Sequence, residues 1–213
     1  MSATTSYLTI ATDTDTETVT EDRRSRFSCR LRRADTEAAA RRVLEQARSD
    51  HVSAGHHCSA FVLGPEASVQ RCSDDGEPGG TAGAPMLEVL RGSQVSDVVA
   101  VVTRYFGGTL LGAGGLVRAY AHAVRNGLDH ADLVTRRLVR LLDITVDHAE
   151  AGRLEHDLRT RRVEVQEVTY GAYARLRVAS PLEQLADVRA TVAALTGGSA
   201  EVAVAGDAWT LDA

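Results

Sequence analysis

A glycine-rich segment near the middle of the chain has the composition of an anion-binding loop. It follows a β-branched apolar run typical of a buried strand and precedes apolar residues at helical spacing, so it leads into a helix N-terminus. Its candidate ligand-binding residues are Arg104, Gly107, Gly108, Gly112, Gly114, Gly115 and Arg118. Free backbone N–H groups and the helix dipole favour a phosphate at such a position. The segment therefore predicts a phosphate contact, with a tightly packed strand-to-helix turn as the alternative.

A second glycine-rich segment, 74–85, carries the carboxylates of Asp74, Asp75 and Glu77. Its acids favour a turn in which carboxylates accept hydrogen bonds from backbone N–H groups. A divalent cation is the weaker alternative, because the spacing differs from that of a calcium loop. His57, at the start of a predicted strand, can pair with Asp75 or Glu77, either as a general base or through a hydrogen bond that orders the loop. No metal site and no cofactor is predicted.

The composition excludes several classes of protein. All 24 basic residues are arginine, which rules out a lysine Schiff base and a Walker-A phosphate loop. Val117 stands where a dinucleotide fingerprint has its third glycine. Three widely spaced cysteines indicate neither a disulfide framework nor a CxxC pair. No apolar run is long enough to span a membrane, so a cytoplasmic protein without a membrane partner is expected.

The charge is unevenly distributed along the chain. The net charge of −5 argues against indiscriminate nucleic-acid binding, and no feature indicates specificity for DNA. Six arginines nevertheless lie within residues 23–33. These arginines either meet phosphates or form a solvated strand face, and the solvated face is the favoured interpretation.

The first 135 residues alternate strand-like and helix-like runs, which predicts an α/β domain. The run at 97–103 is apolar on both faces, as in a central strand. Strands are predicted at 7–11, 27–31, 57–63, 69–72 and 97–103, and helices at 35–48, 86–90 and from Gly115 onward.

Residues 138–213 form a compact β-α-β-β-α-β pattern that predicts a second, ferredoxin-like domain. A capping box at 147–150 and Pro181 at a first helical position mark the starts of its two helices. Strands are predicted at 138–146, 163–169, 172–178 and 200–204, with the second helix at 181–195.

Several uncommon strings follow one another over residues 25–130. They are Ser25-Arg26-Phe27, His56-His57-Cys58, Ser73-Asp74-Asp75-Gly76-Glu77-Pro78, Gly80-Thr81-Ala82-Gly83, Pro85-Met86-Leu87, and Arg104-Tyr105-Phe106-Gly107-Gly108 with Leu111-Gly112 and Gly114-Gly115-Leu116. In these strings and their order the chain resembles bacterial members of the YigZ/IMPACT family. The resemblance implies an α/β fold (α+β) in which residues 1–135 are similar to the second domain of a small-subunit ribosomal protein. It also implies that 138–213 is similar to the ferredoxin-like fifth domain of elongation factor G.

This resemblance implies a cytoplasmic, translation-associated or regulatory protein. Its expected partner is the ribosome, structured RNA, a translation-related protein or a phosphate-bearing ligand, bound without catalysis through the glycine-rich face of the first domain. Bacterial relatives often carry a basic residue where this chain has Ala84, which weakens the interpretation of this loop as a phosphate contact. Two alternatives stay open. One is a small-substrate hydrolase or phosphate-dependent enzyme using His57 with Asp75 or Glu77, and the other is a protein–protein interaction module.

Overall fold

The computed structural model describes residues 4–12 and 16–211. The chain divides into two compact units, Met1–Thr135 and Arg136–Ala213. The first unit contains strands β1 (Ser6–Ile10), β2 (Thr16–Asp22), β3 (Ser25–Arg33), β4 (His56–Leu63), β5 (Val69–Ser73) and β6 (Val98–Tyr105), and helices α1 (Glu37–Asp50), α2 (Gly83–Gly92) and α3 (Ala113–Asp129).

The main sheet of the first unit has the strand order β2-β3-β6-β4-β5, with every neighbouring pair antiparallel. Its central strand β6 is buried on both faces, as its β-branched, apolar sequence predicts. Alternate residues of β6 enter two different cores. Ala100 and Val102 pack with the α2 and α3 side chains, whereas Val99 and Val101 pack with α1. The sheet therefore separates an α2/α3 face from an α1 face.

The second unit contributes four antiparallel strands and two helices. Its elements are β7 (Leu133–Val146), α4 (His148–Thr160), β8 (Glu164–Tyr170), β9 (Ala174–Pro181), α5 (Leu185–Thr196) and β10 (Glu201–Leu211). The strand order β8-β9-β7-β10 places the first and third strands of the βαββαβ unit at the centre. Leu142, Leu158 and Leu176 are fully buried in its core. The α+β fold class and the ferredoxin-like order are confirmed.

Two of the departures from the predicted strands have local reasons. Strand β2 was not predicted, because it carries a single large apolar residue, Val19, and lies at the edge of the sheet. Strand β10 was predicted to end at residue 204 but continues to Leu211. A β-bulge at Gly206, whose φ is +136°, allows the strand to resume its pairing with β7 after the irregularity. In the described part of the chain, no helix is long and apolar enough to cross a bilayer.

Candidate functional site

The loop from β6 to α3, residues 106–112, is largely exposed and leads into an open helix N-terminus. Gly112 caps α3 with φ +72°, a conformation that favours glycine, and no side chain caps the first turn. A Cβ atom on Gly114 would meet only the Nη1 atom of Arg118, at 3.6 Å. Packing and backbone conformation therefore do not require glycine at position 114, and its absent side chain leaves the first turn accessible.

Other glycines of this segment have a structural explanation. A Cβ atom on Gly107 would lie 2.0 Å from the backbone carbonyl carbon of Arg24, so only glycine permits this approach. The Gly107 N–H also donates to Ser25 Oγ at 3.2 Å. Gly115 is similarly crowded by the Leu111 side chain, with a Cβ–Cβ distance of 3.0 Å. The packed-turn interpretation thus accounts for part of the segment, and the loop is held against the β2–β3 hairpin.

The tip of this hairpin is a two-residue turn made of Arg23 and Arg24, because Asp22 pairs with Ser25. Both arginines have positive φ, 46° and 68°. Two-residue hairpin turns favour an Asn-Gly dipeptide in this conformation, since a larger side chain in the left-handed region is strained. Both side chains are exposed, and neither makes a hydrogen bond or ion pair with any part of the chain that the structure describes.

Arg118 and two exposed apolar residues complete the surface around the loop. Arg118 is exposed and likewise lacks a hydrogen bond or ion pair within residues 4–12 and 16–211. Phe106 is 59% exposed and Leu110 is 81% exposed. We call the surface formed by Arg23, Arg24, residues 106–114 and Arg118 the glycine-rich face. Two acids, Glu21 and Asp22, line a small depression of about 200 Å³ beside Arg118, so the face is not uniformly positive.

Arg104 lies beneath this face rather than on it. Its side chain is 8% exposed, and its Nη1 atom donates to Glu77 Oε1 at 2.7 Å. The same carboxylate oxygen accepts a hydrogen bond from the Tyr120 hydroxyl at 2.7 Å. The predicted phosphate ligand Arg104 and Glu77, a predicted partner of His57, therefore form a buried ion pair. Through it the 74–85 segment, the end of β6 and helix α3 are connected.

The thiol and phenol next to this ion pair are held in their neutral forms. Cys58 Sγ lies 3.3 Å from the Tyr120 hydroxyl and 3.0 Å from the carbonyl oxygen of Asp74. Burial raises the pKa of Cys58 to about 12, although the contact with Tyr120 acts in the opposite direction. Burial also raises the pKa of Tyr120 far above its ordinary value. Neither group has the lowered pKa of an activated nucleophile.

Asp74 serves as the acidic cap of α2. Its carboxylate accepts hydrogen bonds from the N–H groups of Gly80 (2.8 Å), Ala82 (3.0 Å) and Gly83 (2.8 Å). Burial tends to raise the pKa of Asp74, but these three bonds outweigh it and hold the pKa below its ordinary value. This is the arrangement that the turn interpretation of the acidic loop predicts. Among the described residues, no group of three or more His, Cys, Asp and Glu side chains is arranged to hold a metal ion.

His57 lies on the α1 face of the sheet, opposite the face that carries Glu77. Strand alternation directs Cys58 into the α2/α3 core, so its neighbour His57 points to the other side. His57 Nδ1 is 3.9 Å from Asp75 Oδ2, and Asp75 is also bound by Arg48 at 2.6 Å. Burial lowers the pKa of His57, and the Asp75 carboxylate only partly opposes this shift. The structure thus brings His57 to Asp75 and separates both from Glu77 and from helix α3.

Sequence reasoning missed the arginine tip and the role of Tyr120. Tyr120 fits the apolar stripe of α3, so its hydroxyl carried no separate signal. The turn at Arg23 and Arg24 lacks the Gly, Asn or Asp that normally marks a hairpin. The abrupt change from the acidic run at 13–22 to the basic run at 23–33 was the available signal.

An α/β unit with a glycine-rich strand-loop-helix connection, followed by a ferredoxin-like unit, defines a two-domain class of proteins. The model of the Impact N-terminal domain matches residues 23–128, and that of a domain of unknown function (DUF1949) matches residues 144–199. The chain is 44% identical over 165 residues to the IMPACT family member YvyE of Bacillus subtilis, covering 78% of this chain and 75% of that protein. It is 39% identical over 188 residues to the IMPACT family member YigZ of Escherichia coli, covering 86% of this chain and 91% of that protein.

A solved structure described as a hypothetical protein is similar over most of the fold. The TM-score is 0.68 at 36% identity, covering 93% of this chain and 96% of the other. The chain therefore belongs to the IMPACT family. Membership of this family implies a regulatory role related to translation.

Proposed function

We propose that this protein acts in translation by binding the phosphate backbone of structured RNA, free or in the ribosome, through the glycine-rich face. One observation carries the proposal. Three exposed arginines, Arg23, Arg24 and Arg118, border one loop and make no ion pair within the described residues. Cations that the protein does not neutralise are available to phosphates. The role is binding rather than catalysis.

Other groups on the same face suit an RNA partner. Phe106 offers an exposed ring on which an unpaired base can stack, and the N–H groups of the first α3 turn can donate to a phosphate oxygen. Glu21 and Asp22 beside Arg118 oppose polyanion binding. We therefore expect a modest affinity that falls steeply with salt concentration, because counterion release supplies most of the binding free energy.

The test is a titration of a fluorescently labelled RNA stem-loop with the protein, followed by anisotropy at several salt concentrations. The substitution Arg118→Gln should weaken binding and reduce the slope of log affinity against log salt by about one, because one phosphate contact is lost. Arg125→Gln is the matched control. Arg125 is also exposed on α3 but lies about 10 Å further along the helix. An unchanged slope for Arg118→Gln, or no binding by the parent at low salt, contradicts the proposal.

A specific observation supports a protein–protein interaction module as the second candidate. A groove of about 640 Å³ runs between α2 and α3, and Pro85, Val89, Val117 and Ala121 give it an apolar lining. The enzyme alternative lacks comparable support, since His57 and its partner Asp75 lie on the α1 side of the sheet, whereas loop 107–115 leads into α3 on the other side. Absence of RNA binding at low salt would favour the interaction module.

A further inference from the structure

A groove lined by several arginines lies on the α1 face of the first unit. Helix α1 contributes Ala39, Arg42, Val43, Gln46 and Asp50, whose spacing places them on one helix face. The opposite wall consists of Thr12, Arg30, Arg32 and Arg33. The cavity measures about 490 Å³, within the usual range for small-molecule sites.

The charges that line this groove are only partly neutralised. Arg30 donates to Glu17 at 3.0 Å and to Asp50 at 2.7 Å, so these two carboxylates are engaged with it. Arg33 contacts the neutral hydroxyl of Thr12 at 3.0 Å and makes no ion pair within the described residues. Arg42, on the opposite wall, also has none there. Among the described residues, Arg33 and Arg42 therefore leave a surplus of positive charge on both sides of the cavity.

Arg32 adds to the basic wall, but it has an interaction of its own and is not needed for this charge surplus. Two guanidinium groups on opposite walls can each form bidentate hydrogen bonds to a phosphate. The side chains of Ala39 and Val43 supply an apolar patch on the helix side, and Gln46 adds an amide whose oxygen can accept a hydrogen bond. A ligand that fits this combination carries anionic groups together with an apolar or weakly polar part.

We propose that this groove binds a nucleoside polyphosphate. Its phosphates contact Arg33 and Arg42, and its nucleoside lies against Ala39 and Val43. The site is separate from the glycine-rich face, because it belongs to β3 and α1 and uses none of the residues of that face. Its occupancy therefore does not depend on the RNA-binding proposal.

Isothermal titration calorimetry of the full chain with ATP at low ionic strength measures binding to this groove. The substitutions Arg33→Gln and Arg42→Gln should each weaken ATP binding by about tenfold, because each removes a charge-assisted contact. Arg41→Gln is the matched control, since Arg41 is 72% exposed and pairs with Glu37 on α1 itself. Arg118→Gln should also leave ATP affinity unchanged while it weakens RNA binding.

A parallel titration with inorganic triphosphate separates the two parts of the site. Tighter binding of ATP than of triphosphate is expected, because the nucleoside buries the Ala39 and Val43 patch. Equal affinities would overturn the nucleoside contact. The whole proposal is overturned if ATP does not bind at low ionic strength, or if its affinity is the same for the parent, Arg33→Gln and Arg42→Gln.

Discussion

At the scale of single residues, Glu77 is expected to contribute strongly to the stability of the first unit. Its carboxylate is the shared acceptor of Arg104 and Tyr120, and the Glu77 and Arg104 side chains are 3% and 8% exposed. Glu77→Gln should lower the free energy of unfolding of the first unit by about 3–5 kcal/mol, because it leaves the Arg104 guanidinium buried without a counter-charge. Urea denaturation followed by circular dichroism measures the change.

Glu88→Gln provides the control for this prediction. Glu88 pairs with Arg91 at 3.3 Å on the exposed side of α2, and both side chains are more than half exposed. Its removal should change stability by at most about 0.5 kcal/mol. If Glu77→Gln is no more destabilising than Glu88→Gln, the buried ion pair does not hold the two glycine-rich segments together.

The same ion pair shows what a sequence cannot reveal about individual side chains. Arg104 flanks a glycine-rich loop and Glu77 lies in an acidic one, so both have the local signature of functional residues. Their pairing joins positions 27 residues apart, and neither local pattern contains that contact. Arg118 also flanks the loop and is exposed, as a phosphate contact requires. Burial, and not residue type or spacing, distinguishes the two arginines.

At the scale of elements, the β2–β3 hairpin tip combines backbone strain with unpaired charge. Arg23 and Arg24 both have positive φ, which costs a non-glycine residue about 1 kcal/mol or more. The double substitution Arg23→Asn with Arg24→Gly should raise the stability of the first unit by about 1 kcal/mol, because it supplies the dipeptide that this turn favours. The same variant should bind RNA more weakly, with a salt slope reduced by about two. Thermal unfolding and RNA anisotropy measure the two effects.

The double variant Arg23→Gln with Arg24→Gln separates charge from strain. It removes both charges but keeps long side chains in the left-handed region, so it should lose RNA affinity without gaining stability. If the variant with the Asn-Gly turn binds RNA as the parent does, the hairpin tip is not part of the RNA surface. If that variant is less stable than the parent, the turn is not strained.

Strands and helices could be predicted from the sequence where a strand is apolar on both faces, or where capping and turn residues mark the ends of each element. Strand β6 is recognisable because apolar residues on both faces require a central position in a sheet. The βαββαβ order of the second unit follows from its capping and turn signals. Strand β2 carries almost no apolar signal in its sequence. Its pairing with β3 defines it as a strand.

At the scale of the whole molecule, the net charge of −5 hides two local surpluses of positive charge. One is the glycine-rich face and the other is the groove between β3 and α1, and both belong to the first unit. The acids of the described residues partly compensate neighbouring arginines, as Glu17 and Asp50 do for Arg30. An overall acidic protein can therefore bind a polyanion locally, but salt should suppress that binding readily.

Because the residues proposed to bind RNA all belong to the first unit, damage to the second core should leave RNA binding intact. Leu176 is fully buried in the core of the second unit. Leu176→Ala should destabilise that unit by about 2–5 kcal/mol through the cavity it creates. Hydrogen exchange measured by mass spectrometry should then accelerate in residues 136–213 and not in 1–135, with unchanged RNA affinity.

Leu90→Ala is the reciprocal variant, because Leu90 is fully buried in the core that supports α2 and α3. It should accelerate exchange in 1–135 and weaken RNA binding, since the loop before α3 depends on that core. A loss of RNA affinity in Leu176→Ala would mean that the second unit contributes to the RNA surface. Faster hydrogen exchange throughout the chain would mean that the two units unfold together, because a cavity in one of two independent cores does not destabilise the other.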